Sequence, residues 1–188
     1  MAQRHDDRLR FVDLDTFQRH SGIYLTVTAL AGKVEKHNQV ALGFFAGIRP
    51  DEIKALDWRN VNFDRKEIKV TAGTAKTKDS RYVRMSPNLI AWLLPHRKTD
   101  GLIFYSKRFF NSTRKKAGVM WANDIMRHTY ASNHCVIHGT DDTADQLGHK
   151  GKSMLFKHYR RAVSESEAKL FWEIRPSVKD NVVEFKTA

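Results

Sequence analysis

Four cationic side chains and one tyrosine are the residues of this chain best suited to chemistry on an anion. They are Arg49, Lys76, Arg127, His149 and Tyr159. Guanidinium, ammonium and imidazole groups bind anions, and a tyrosine hydroxyl can attack an electrophile as it loses its proton. Taken singly, each residue also has an ordinary structural explanation, such as a solvated arginine or a half-buried tyrosine. Their interpretation therefore depends on the motifs that surround them.

Five short motifs contain these residues and follow one another along the chain. In order, they are Gly47-Ile48-Arg49-Pro50-Asp51-Glu52-Ile53, Lys76-Thr77-Lys78, Arg127-His128-Thr129, Leu147-Gly148-His149 and His158-Tyr159-Arg160. Together they resemble the catalytic domain of the tyrosine recombinases, the phage-integrase family. In that family an arginine precedes a glutamate by three residues, a lysine lies in a β-hairpin, a His-x-x-Arg box lies on a helix, and a Leu-Gly-His motif precedes a tyrosine. The resemblance covers residues 39–172.

The resemblance implies site-specific recombination, in which DNA is cleaved and rejoined through a 3′-phosphotyrosine intermediate. Arg49 and Arg127 would clamp the phosphodiester as it passes through a more negative pentavalent state, because guanidinium groups bind phosphate oxygens in pairs and stay charged. Tyr159 would be the nucleophile. Tyrosine has a pKa near ~10, so surrounding positive charge must help it to lose its proton.

The remaining site residues take supporting roles under the same resemblance. Lys76 would act as the general acid toward the leaving 5′ oxygen, with Lys78 of the same loop as the alternative. His149 would hydrogen-bond the phosphate, and Glu52 would orient the arginines. Because the phosphotyrosine stores the bond energy, the resemblance implies no cofactor, no ATP and no metal ion.

Two features depart from the family pattern. Three residues before Arg127 the family usually has histidine, whereas this chain has Asp124. An acidic side chain there would repel the phosphate if it faced it, or it would cap the helix that begins beside it, and we favour the cap. The family's N-terminal core-binding domain has no counterpart, so we expect residues 1–188 to form a single catalytic domain.

Two other interpretations fit parts of the sequence. A non-catalytic DNA-binding relative would keep a basic face but lose turnover through Asp124 and the missing clamp. A type IB topoisomerase-like strand transferase would share the chemistry without pairing two sites. The presence of Tyr159, Lys76 and both arginines favours a catalytic protein over a non-catalytic one.

The charge of the chain favours a polyanionic partner, and the resemblance implies that this partner is double-stranded DNA. The 33 Lys and Arg residues outnumber the 21 Asp and Glu residues and give a net charge of +12, and such an excess favours a polyanion. The candidate DNA-binding residues gather in the second half of the chain and are Lys107, Arg108, Arg114, Lys115, Lys116, Lys150, Lys152, Arg160 and Arg161. The resemblance further implies self-assembly on DNA, as a tetramer when two sites are paired.

Composition excludes several other classes of protein. With 188 residues, 41% hydrophobic and 29% charged, the chain has the balance of one folded domain. Its apolar stretches are too short for a membrane span, and its single cysteine excludes a disulfide framework, so we expect a cytoplasmic protein. The resemblance implies that it is prokaryotic or phage-encoded. No Walker loop, His-Glu-x-x-His pair or nucleophile elbow is present. His128, His134 and His138 lack a matched set of carboxylates or cysteines, so we expect no metal site.

Periodicity predicts an α+β fold, mostly α-helical, with one small antiparallel sheet or hairpin packed on a helical core. Helices are expected at 36–47, from Pro50, and at 86–93, 106–117, 123–137, 140–148, 154–159 and 164–172, with strands at 67–71 and 81–85. The inward face of the helix at 123–137 should hold Met126, Tyr130, His134 and Ile137. Residues 1–12 should form a loose lead-in and 176–188 a C-terminal tail.

Overall fold

The computed structural model describes residues 38–71, 80–116, 124–149 and 163–176. Over these ranges the chain is mostly helical with one antiparallel sheet, which confirms the predicted fold class. In chain order its elements are α1 (Asn38–Ala46), α2 (Pro50–Lys54), a 3-10 turn (Trp58–Asn60), β1 (Val61–Asn62), β2 (Glu67–Val70), β3 (Arg81–Arg84), α3 (Pro87–Leu93), a second 3-10 turn (Leu94–His96), α4 (Lys107–Lys116), α5 (Ile125–Leu147) and α6 (Glu165–Glu173). The lead-in, most of the tail and the predicted helix at 154–159 lie outside the described residues.

Helix α1 runs through the centre of the core. Every one of its nine residues is buried, because apolar side chains such as Val40, Phe44 and Phe45 leave no polar face for solvent. The helix packs against both α3 and α5. Its C-terminal end leads directly into Arg49, so this buried helix fixes the position of the first arginine of the site.

The sheet has the order β1-β2-β3, with both neighbouring pairs antiparallel. Ile68 pairs with Val83 and Val70 pairs with Arg81, while Ile68, Val70 and Val83 are all buried. The predicted hairpin is confirmed. Strand β1 was not predicted, because its two residues are too few to show an alternating pattern.

Helix α5 contains a sharp kink at Gly139. There the backbone has φ 83 and ψ 171, a left-handed conformation that costs glycine little. The kink separates the two helices predicted at 123–137 and 140–148, and both are confirmed. The predicted inward face is confirmed for Met126, Tyr130 and His134 but wrong for Ile137, which is 38% exposed, because it lies just before the kink.

Helix α6 closes the core on the side of α1. Its predicted capping box is present, since the Ser164 backbone N–H donates to Glu167 Oε2 at 2.7 Å and the Glu167 N–H donates to Ser164 Oγ at 3.3 Å. The Phe171 ring packs on Phe45 with centroids 5.2 Å apart. None of the helices within the described ranges is long and apolar enough to cross a membrane.

Candidate active site

Five of the predicted catalytic and supporting residues lie in the described ranges. Four of them come together where the ends of two helices meet, and the fifth is Asp124. Arg49 is the residue before α2 and Glu52 lies in its first turn, while Arg127 lies in the first turns of α5 and His149 follows the end of the same helix. Lys76, Lys78 and Tyr159 lie outside the described residues. The described part of the site therefore consists of its arginines, His149 and Glu52.

Glu52 is the anionic centre of this cluster. Its side chain is only 1% exposed, and it accepts two bonds of 2.8 Å from Arg81 Nη1 and Nη2. Glu52 also accepts a bond of 2.9 Å from the Arg49 backbone N–H and one of 3.4 Å from Arg49 Nη1. Burial alone would raise the pKa of Glu52, but the bonds from Arg81 and Arg49 outweigh it and lower that pKa below its ordinary value. The carboxylate is thus ionised and orients both arginines.

Arg81 is a member of the cluster that sequence reasoning missed. Its Nε donates to the backbone oxygen of Gln146 at 3.2 Å, so Arg81 joins β3 to the end of α5 as well as to Glu52. A usable signal was present in the strand pattern. Arg81 is two residues from buried Val83 and therefore lies on the inner face of β3, where a charged side chain needs a partner.

Arg127 is buried and held by backbone carbonyls. Its Nη1 donates to the oxygen of Gly47 at 2.7 Å, and its Nη2 donates to the oxygen of Leu147 at 2.5 Å. Burial, and then the positive charges of Arg49 and Arg81, lower the pKa of Arg127 to about 9. The guanidinium remains charged at neutral pH, but it lies among other cations that repel it. An anion bound beside Arg127 would offset this repulsion and stabilise its charged form.

His149 is in direct contact with Arg127. Its Nε2 lies 3.0 Å from Arg127 Nη2, and because arginine can only donate, Nε2 accepts this bond. Burial and the charges of Arg127 and Arg49 lower the pKa of His149 to about 4. The imidazole is therefore neutral at pH 7, and its remaining proton must be on Nδ1, which is then a donor for an anionic ligand.

Gly148 brings the strand and the helix end together. It ends α5 with φ 67, a left-handed conformation that favours glycine. A Cβ atom at this position would come within 2.9 Å of Arg81 Cδ. The glycine of the Leu-Gly-His motif thus allows the Arg81 side chain to pass over the helix end and reach Glu52.

The family of the chain follows from comparison with known proteins. The sequence model of the phage integrase family matches residues 24–165. The chain belongs to this family.

Two solved structures have a similar fold. The crystal structure of XerA recombinase superposes with a TM-score of 0.63 at 17% identity, covering 92% of this chain and 65% of that chain. The integrase from mycobacterium phage Brujita gives a TM-score of 0.57 at 14% identity, covering 84% of this chain and 58% of that chain. At these identities the two structures support the fold alone. The chain spans less than two thirds of the length of either of them. No curated protein matches the chain significantly.

Asp124, the main departure from the family pattern, immediately precedes α5. The predicted side-chain cap is wrong, because Asp124 makes no cap hydrogen bond and has φ 54. Capping residues normally have extended backbone, which turns the side chain toward the free N–H groups. Asp124 is exposed, and its negative charge acts in the direction that raises the pKa of Arg127.

The basic residues predicted to bind DNA are described only in part. Lys107, Arg108 and Lys115 are exposed on α4, while half-buried Phe110 packs that helix against the core. The basic face of α4 is therefore directed away from the core. The side chains of Arg114 and Lys116 lie outside the described set, as do Lys150, Lys152, Arg160 and Arg161.

Proposed function

We propose that this phage-integrase family member is a site-specific recombinase that cleaves and rejoins double-stranded DNA through a phosphotyrosine intermediate. The observation that carries the proposal is the convergence of Arg49, Arg127 and His149, although Arg49 and Arg127 lie 78 residues apart in the sequence. Glu52 accepts hydrogen bonds from Arg49 and Arg81, and Arg81 also bonds to the end of α5, so these contacts fix the position of the group. A site with several directed donors and a cationic character suits a phosphodiester better than any neutral substrate.

The charge balance of the cluster supports an anionic substrate. Three guanidinium groups surround the single carboxylate of Glu52, so the group as a whole is cationic. The side chain of Arg49 is 25% exposed, so it can contact both Glu52 and a ligand in solvent. The transition state carries additional negative charge, and this charge forms beside fixed cations. The site therefore stabilises the transition state more than the ground state.

The proposed reaction needs two proton transfers and no cofactor. Tyr159 attacks the phosphorus and gives its proton to solvent water, and the bond to the 5′ oxygen breaks as that oxygen takes a proton from Lys76 or, alternatively, Lys78. The 3′-phosphotyrosyl bond retains the energy of the phosphodiester. A free 5′ hydroxyl of another strand then reverses the steps and rejoins the DNA.

The neutral form of His149 has a defined part in this scheme. Its Nε2 accepts from Arg127, so Nδ1–H donates to a phosphate oxygen without adding another charge to the buried cluster. We further propose that the chain acts on cytoplasmic DNA and assembles as a tetramer when two sites are paired. The family membership and the net charge of +12 support these partners.

The proposal is tested with a nicked substrate, in which loss of a short 5′ fragment after cleavage traps the covalent complex. The native chain should accumulate protein-linked DNA, and Arg49→Ala should slow its formation by about 10²-fold, the usual effect of removing one donor to a developing oxyanion. The matched control is Arg59→Ala. Arg59 is an exposed arginine paired with Asp57, and its loss should change DNA affinity slightly and the cleavage rate not at all.

Three results would count against the proposal or the role it gives to Arg49. DNA binding without any covalent complex from the native chain would identify a non-catalytic DNA-binding relative. Covalent complex formation with relaxation of supercoiled DNA, but no joining of two sites, would identify a topoisomerase-like strand transferase. Equal slowing by Arg49→Ala and Arg59→Ala would remove the assignment of Arg49.

A further inference from the structure

A second group of polar side chains lies on α5, away from the cationic cluster. It consists of His134, His138 and Asp142, whose possible ligand atoms all lie within 4.8 Å of one another. The kink at Gly139 lies between the second and third of these residues. It brings Asp142 beside the two histidines, and sequence reasoning set those histidines aside because no carboxylate was evident.

Hydrogen bonds fix the tautomer of His134. The Thr143 hydroxyl donates its single proton to the Gly139 backbone oxygen at 2.7 Å. The same hydroxyl oxygen lies 2.8 Å from His134 Nδ1, so it must accept from an Nδ1–H group. A neutral His134 then carries an unprotonated Nε2, and this atom lies 3.9 Å from Asp142 Oδ2.

Two electron-pair donors therefore face each other in a partly buried position. An imidazole lone pair and a carboxylate oxygen at this separation repel each other weakly, and a cation placed between them would be attracted to both. The geometry therefore suits a cation that accepts electron pairs from both groups.

We propose that His134, His138 and Asp142 bind one divalent transition-metal ion, with Zn²⁺ as the best match. Two imidazole nitrogens with one carboxylate oxygen are a common zinc ligand set, and imidazole favours Zn²⁺, Co²⁺, Ni²⁺ and Cu²⁺ over Mg²⁺ and Ca²⁺. Ligands about 2.1 Å from a tetrahedral ion lie about 3.4 Å apart. Because His138 is exposed, its side chain can rotate to close the remaining gap.

The groups around the three ligands match those of natural metal sites. His134 donates its other ring N–H to Thr143, the kind of outer bond that orients a ligating histidine. Arg84 Nη2 donates to Asp142 Oδ1, which leaves Oδ2 directed at His134. The His138 ring lies against the His134 ring with centroids 4.4 Å apart, so all three side chains share one small region.

Such an ion would join the two pieces of α5 across the kink. The N-terminal piece carries Arg127, and the C-terminal piece ends at Gly148 and His149. The ion would therefore stabilise the position of Arg127 relative to His149. This inference does not depend on the proposed recombinase activity, because binding and stability are measured without DNA.

The test uses the full chain without a histidine tag, treated with chelator and then titrated with Co²⁺ or Zn²⁺ alone. We expect one ion per chain, Co²⁺ absorption bands in the visible range, and a melting temperature raised by about 5 to 10 °C at a hundredfold excess over Kd. His138→Ala, at an exposed position that the fold does not need, should remove the bands and the shift. Asp142→Asn should weaken both, whereas Asp145→Asn, an exposed carboxylate of the same helix, should change neither.

Retained binding in His138→Ala would overturn the proposal, since the ion would then lie elsewhere. Failure of the native chain to bind Co²⁺ or Zn²⁺ at 100-fold molar excess would also overturn it and would leave His134 as a buried neutral histidine bonded to Thr143. An equal shift with Mg²⁺ would point to a nonspecific carboxylate effect and would count against the imidazole ligands.

Discussion

Glu52→Gln should strongly destabilise the chain, although it changes a single buried atom. At an effective dielectric near 20, opposite unit charges about 2.8 Å apart, as between Arg81 and Glu52, attract by about 6 kcal/mol, which the desolvation of both groups partly offsets. The substitution removes this attraction, replaces one acceptor oxygen with a donating NH₂ group, and leaves the Arg81 side chain, 9% exposed, without its anion. Removing one partner of a buried pair typically costs about 3 to 5 kcal/mol.

The free energy of unfolding is measured by urea unfolding, followed through tryptophan fluorescence at pH 7. Asp51→Asn is the matched control, because Asp51 is one residue away on α2 and pairs with Lys54 on the surface, where an ion pair contributes little. The difference between the native chain and Glu52→Gln should shrink as the pH falls below 4.5. The pKa of Glu52 is lowered in the folded state, so its stabilisation is complete above the unfolded value and lost as the folded carboxylate takes a proton. A Glu52→Gln chain within 1 kcal/mol of the native one, or a difference that does not depend on pH, would refute the reasoning.

Three further results are expected. Gly148→Ala should destabilise the chain by about 1 to 2 kcal/mol and slow cleavage, because a left-handed φ and a contact with Arg81 Cδ both oppose a Cβ atom. Thermal melting and cleavage rates test this prediction, and a variant with native stability and native cleavage would contradict it. Lowering the pH from 6.5 to 4 should reduce the free energy of unfolding, because the unfolded His149 takes a proton before the folded one does, and His149→Gln should reduce that loss. Lys76→Ala should slow cleavage of ordinary DNA by about 10² to 10⁴-fold but much less on a 5′-bridging thiolate substrate, whose leaving group needs no proton; the same comparison on Lys78 distinguishes the two lysines.

The sequence predicted the parts of the site that local motifs encode. Arg49 precedes a proline and an acidic first turn, so its place at a helix start follows from the preferences of those residues. The helix end at Gly148 follows in the same way. Periodicity over α1 and the alternation of Glu67–Val70 and Arg81–Arg84 were enough to predict the fold class, because these patterns reflect which faces are buried.

The parts that depend on contacts between distant residues were not predictable from one sequence. Arg81 forms its bonds with Glu52 and with the oxygen of Gln146, 29 and 65 residues away, and no local pattern encodes such a pair. The kink at Gly139 brings Asp142 to His134 by a backbone turn that glycine permits but does not require. Asp124 was expected to cap its helix on residue type alone, but its left-handed backbone prevents the usual capping bond.

The most direct test of the central claim is to identify the residue that becomes joined to DNA. The complex trapped on nicked DNA is digested with protease and nuclease, and the peptide carrying the residual nucleotide is sequenced by mass spectrometry. We predict a 3′-phosphate ester on Tyr159, and no adduct from Tyr159→Phe, while Tyr82→Phe, at an exposed tyrosine of β3, gives the native yield. An adduct on another residue, or a Tyr159→Phe chain that still becomes linked to DNA, would contradict the account.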